Sequence, residues 1–77
     1  MIVINVISQN QDNIINYEMF NYKIRNKHII GYSGSKEIFL GTYSNEEKCK
    51  EILIKMLHSY ENGDKTYFMP QQIKEKI

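Results

Sequence analysis

"LGTYSNEEKCKEIL", residues 40–53, leaves a strand, passes a turn and enters a helix. Ser44 is followed three residues later by Glu47, the reciprocal capping pattern in which each side chain serves the other's free backbone N–H. Glu46 and Glu47 put negative charge in the first turn, where the aligned peptide dipoles favour it. Cys49, Ile52, Leu53, Met56, Leu57 and Tyr60 then recur every three or four residues and form one apolar stripe. Asn62-Gly63 supplies the stop. Ile54 lies off the centre of the stripe and widens it, which points either to cover by residues 67–70 or to contact with a second subunit. No catalytic pattern falls within the stretch. It carries the chain from the edge of a sheet onto a helix that covers the sheet.

Strands precede it. Residues 2–8 are rich in Ile and Val and read as the first. Residues 9–13, "QNQDN", are a polar turn. Across residues 14–24 the apolar alternation changes parity, which points to a β-bulge or to two short strands, and one bent strand with a bulge near Met19–Phe20 is the favoured reading. "RNKH" and "SGSK" are tight turns around a strand at 28–33, and 37–43 is the next strand. There Ile38, Leu40 and Thr42 share one face, and Gly41 opposite them marks a bulge or close packing. "TYFMP", residues 66–70, reads as an edge strand or a clamp. The expected class is α+β: an antiparallel meander of about four strands against one amphipathic helix, with a short extended segment after it.

Size and charge narrow the function. A chain of 77 residues is read as one domain over 1–70 with a tail at 71–77. A domain this small buries only about 60 % of its unfolded surface. One cysteine cannot form an internal disulfide, and one cysteine with two scattered histidines does not make a zinc site. Oligomerisation is the remaining common route to stability. A net charge of +1 and a pI near 7.8 argue against general nucleic-acid binding, and 42 % hydrophobic residues argue against disorder. "MIVINVIS" lacks the basic start and cleavage site of a secretion signal, and no run is long enough to cross a bilayer. A soluble intracellular protein with Cys49 reduced is expected.

No phosphate-binding glycine loop is present, although Gly34, Ser35 and Lys36 offer backbone N–H groups and one charge at a turn. Cys49 sits on the apolar stripe and reads as a buried thiol. His28 and His58 are far apart, and the carboxylates show no pairing suited to acid–base work. No enzyme, cofactor or metal is expected. The aromatics carry more information, with six tyrosines and three phenylalanines. One helix cannot cover all of those placed in the sheet. Tyr22, Tyr32 and Tyr43 therefore offer stacking faces to a ligand. Arg25, the only arginine, is the best single contact for phosphate or carboxylate. With Ser35 and Lys36 these residues make up the candidate ligand site.

"IGYSGSKEIFLGTYSNEEKCKEIL", residues 30–53, with "YFMP" at 67–70, resembles a group of small proteins encoded by phages and mobile elements of low-GC Gram-positive bacteria. The matching positions are Leu40, Gly41, Tyr43, Leu53, Met56, Tyr67, Met69 and Pro70, with Cys49 where the group has alanine. The likeness spans residues 28–70, and its motifs specify the fold more than an activity. It implies a cytoplasmic protein of the infected bacterial cell that counters host immunity without catalysis. The expectation is a homo-oligomer that sequesters a cyclic nucleotide or cyclic ADP-ribose-type signal. The alternative is an inhibitor that binds a host defence protein, as anti-CRISPR proteins do. A signal-degrading enzyme ranks third.

Overall fold

The computed structural model describes residues 4–71. The expected start of the first strand at residues 2 and 3, and the tail at 72–77, lie outside them. The described chain is α+β, with six short strands and one helix. In order these are β1 (Asn5–Ile7), β2 (Ile14–Asn16), β3 (Asn21–Arg25), β4 (His28–Ser33), β5 (Lys36–Thr42), α1 (Glu46–Asn62) and β6 (Thr66–Phe68).

The strands form two small sheets where the sequence predicts one. In the second, β3, β4 and β5 make an antiparallel meander. In the first, β1 lies between antiparallel β2 and parallel β6. The 66–70 segment is thus an edge strand, and Met69 N donates to Ile7 O at 3.0 Å just beyond it.

The run at 14–24 is two strands joined by a 3-10 turn at Tyr17–Met19, not one bulged strand. Asn16 explains the break. Its side-chain oxygen accepts from Glu18 N at 2.9 Å, a local bond that competes with continuing the ladder. The turn absorbs the change of parity.

Asn26 and Gly34 set the meander. Both have positive φ, 58° and 61°, and sit in the two-residue turns closed by the pairs Arg25–His28 and Ser33–Lys36. Asparagine and glycine are the residues that tolerate this backbone. A bulge falls in β5, where Ile29 faces Gly41 and Ile30 faces Phe39, leaving Leu40 as the extra residue. Leu40 is fully buried. Thr42 therefore shares a face with Phe39 and not with Leu40, contrary to simple alternation.

Tyr43 turns inward after the bulge and is 2 % exposed. Its hydroxyl donates to Pro70 O at 2.7 Å, and a Cβ on Gly41 would lie 2.9 Å from its ring. Gly41 is thus both at the bulge and in close packing, as its lack of a side chain predicts.

The helix begins as the charge pattern predicts, but Asn45 rather than Ser44 caps it. Asn45 is extended and its side-chain oxygen accepts from Lys48 N at 2.8 Å. Gly63, left-handed at φ 83°, ends it. Cys49, Ile52 and Met56 form one buried cluster with Val6 and Ile15 of the first sheet and Ile29 and Leu40 of the second. No helix among the described residues is long and apolar enough to cross a membrane.

Gln9 ties the sheets together. Its backbone N donates to Leu40 O at 2.7 Å. Its carboxamide nitrogen donates to Thr42 O and Pro70 O, and its oxygen accepts from Thr42 N. The side chain acts as a peptide unit paired with the end of β5, a role invisible in a polar turn sequence.

Two substitutions test this packing. Gln9→Ala removes three side-chain hydrogen bonds and is expected to lower stability by roughly 1–3 kcal/mol. Gly41→Ala pushes a methyl group into a buried ring that cannot swing away, with an expected loss of about 1–3 kcal/mol. Both are read from the urea midpoint at unchanged slope.

Candidate functional site

Cross-strand partners in a sheet share a face. The meander's pairings therefore give its outer face three rows: Asn21–Tyr32–Glu37, Lys23–Ile30–Phe39 and Arg25–His28–Thr42. The other face carries Ile29, Leu40, Tyr22, Ile24 and Ile38, which pack into or against the core cluster. The helix lies on that inner side, and no described element packs on the outer face.

The outer face is cationic and aromatic. Ile30 at its centre is only 7 % exposed, whereas Phe39 beside it is 47 % exposed. Lys23 Nζ lies 4.9 Å from the centre of the Tyr32 ring, a cation–π contact. The rings of His28 and Phe39 are 5.5 Å apart, and His28 Nδ1 is 2.8 Å from Thr42 Oγ1. Lys23 and Arg25 converge on the Glu37 carboxylate, at 2.6 Å for Lys23 Nζ and 3.3–3.4 Å for the two Arg25 nitrogens. These two cations hold the Glu37 carboxyl below its ordinary value, the Lys23 hydrogen bond first and the Arg25 hydrogen bond second.

The predicted ligand residues are not brought together as a set. Arg25 and Tyr32 lie on the outer face. Ser35 and Lys36 are exposed at the β4–β5 turn at its end. Tyr22 points the other way, its ring stacked on Tyr17 at 5.2 Å and its hydroxyl donating to Tyr17 O at 2.9 Å. Tyr43 is a core residue with no face left to stack on a ligand. Burial raises both hydroxyls above the usual phenol range, so they stay protonated as donors. Sequence reasoning passed over Lys23, Glu37 and Phe39. The two positive-φ turns at Asn26 and Gly34 were the signal for them, because fixing those turns fixes which side chains are opposite.

A second feature is a groove of about 700 Å³ between α1 and the Tyr17–Tyr22 segment. Tyr17 is stacked between Tyr22 and Tyr60, 4.8 Å from the latter. Leu53, Ile54 and Leu57 form the opposite wall. The Tyr60 hydroxyl donates to Glu18, and that bond raises the Tyr60 hydroxyl above its usual value. The groove is open, apolar and acid-rimmed, which does not suit a phosphate. Cys49 is buried, and its thiol is pushed up first by desolvation and then by the nearby charge of Glu46. No group of three or more metal-ligating side chains is gathered among the described residues.

Fold and face together describe a small α+β protein with a solvent-facing cationic and aromatic sheet. No family model, curated protein or solved structure matches the chain.

The Glu37 cluster has a clear pH signature. A carboxyl depressed in the folded state stabilises fully above the range where an unfolded-chain glutamate titrates, and loses that contribution as pH falls through its folded value. In an NMR titration the Glu37 side-chain midpoint is expected below the ordinary glutamate value. Lys23→Ala should raise it more than Arg25→Ala does.

Proposed function

We propose that the protein is a non-catalytic binder of a nucleotide-derived signal, and that the ligand lies on the outer face of β3–β4–β5. The observation that supports this is the convergence of Lys23 and Arg25 on one carboxylate, beside Tyr32 and Phe39. Glu37 occupies the place a phosphate would take. A phosphodiester or pyrophosphate group, with one negative charge and two free oxygens on each phosphorus, competes for the same donors, with the Arg25 fork meeting it bidentately. A base stacked on an exposed ring supplies the rest of the affinity, at about 1–3 kcal/mol per stacked base. Lys36 at the adjacent turn adds positive charge to the approach. The likeness to phage and mobile-element proteins supplies the setting, sequestration of a cyclic nucleotide or cyclic ADP-ribose-type immune signal in the infected bacterial cytoplasm.

A protein-binding inhibitor is the second reading. Two observations favour it. Phe39 stands 47 % exposed on the face, and among the described residues β3 is an edge strand that pairs only with β4. An extended segment of a host protein can add to such an edge.

Native mass spectrometry with a panel of signalling nucleotides separates the two. The sponge predicts uptake of one panel member at fixed stoichiometry and its release unchanged. Glu37→Gln should tighten binding by freeing both cations, and Arg25→Ala should weaken it by roughly 1.5–3 kcal/mol. If no nucleotide binds to the wild type or to E37Q, the ligand reading fails and the search turns to protein partners.

A further inference from the structure

The outward side of α1 carries a stripe of its own. Lys50, Ile54, Leu57 and Glu61 follow at spacings of four, three and four, and all are exposed. That spacing keeps them on one line of the helix surface. The line runs away from buried Cys49, Ile52 and Met56. Ile54 is 54 % and Leu57 43 % exposed, which leaves two branched side chains in water side by side. Neither Lys50 nor Glu61 is in a salt bridge among the described residues. The two lie three turns apart on their own helix, too far to meet each other.

The order of the stripe is cation, apolar, apolar, anion. Such an order complements itself when reversed. If a second α1 is laid antiparallel, centred between Lys55 and Met56, Ile54 meets the partner's Leu57. In the same register Lys50 meets the partner's Glu61. The two-fold axis repeats each contact, so one patch closes on its own copy with no surface left over. A parallel arrangement would set like charges against each other. We propose that the protein forms a two-fold dimer through antiparallel α1 helices, with the apolar pair at the centre and an ion pair at each end. Ile54 and Leu57 also wall the groove beside Tyr17, so the partner's Leu57 has an apolar recess to enter. The dimer uses the helix and not the sheet face, so self-association and ligand uptake are lost by different variants.

Charge reversal tests the register. Wild type is expected to show a concentration-dependent dimer in sedimentation velocity. K50E makes the ends of the stripe all negative and E61K makes them all positive. Each change places like charges at both ends of the pairing and should weaken self-association by about tenfold or more. An equimolar mixture of K50E and E61K should recover a heterodimer, because every end-to-end contact is then between opposite charges. Recovery should fade at high salt. Both positions are exposed, and unchanged far-UV circular dichroism confirms folding. A wild type that stays monomeric at the highest attainable concentration overturns the proposal. So does a dimer indifferent to both reversals, or a mixture that forms no heterodimer.

Discussion

The carboxamide of Gln9 is the joint on which this fold depends. Neither three-stranded sheet has enough apolar surface to stand alone, and a strand ladder does not run from one to the other. Gln9 supplies the missing link by pairing with both backbone groups of Thr42 while reaching Pro70 O. Gln71 then donates to Gln9 O, and Tyr43 donates to the same Pro70 carbonyl from the other side. The turn after β1, the end of β5 and the segment after β6 are thereby held at one point. A half-buried amide with its partners in place restrains geometry as a strand pair does, because displacement separates several paired polar groups at once.

That joint decides where function has room. With the turn after β1 tied to the end of β5, α1 can lay Cys49, Ile52 and Met56 across both sheets at once. One helix then serves as the whole second layer. Among the described residues no element lies over the opposite side of the meander, which carries Tyr32, Phe39, Lys23 and Arg25. The economy that stabilises a short chain also leaves one face of the meander uncovered by any described element.

The sequence carried the helix and the meander well, because both are written in local terms. A 3.6-residue stripe, acidic residues at one end and glycine at the other need no knowledge of the rest of the chain. Even so, Asn45 displaced Ser44 as the cap, a choice between two good capping residues that only the backbone path decides. The parallel partnership of β6 with β1 was not legible, since pairing across the whole chain leaves no local trace. The candidate site residues divide between the two faces of the meander, and one residue decides it for Tyr43. Without the bulge at Leu40, residues 37, 39, 41 and 43 would share a face, and Tyr43 would stand in line with Phe39. The extra residue sends Tyr43 into the core and leaves Tyr32 outside. The two tyrosines are chemically identical, and only register tells outward ring from structural post. Tyr22 was lost for the same reason, since its position opposite Gly31 puts it on the inner face.

The pairing of Asn5 with Thr66 has a consequence for how the protein is made. On the ribosome β1 emerges first and can form its hairpin with β2, but its other edge stays open while the meander and helix follow. The core residue Val6 gains its neighbour Tyr67 only when nearly the whole described chain has appeared. A short chain with its defining contact between distant segments does not fold progressively; it waits, and then closes in one step. That interval is when β1 is most open to pairing with the wrong neighbour.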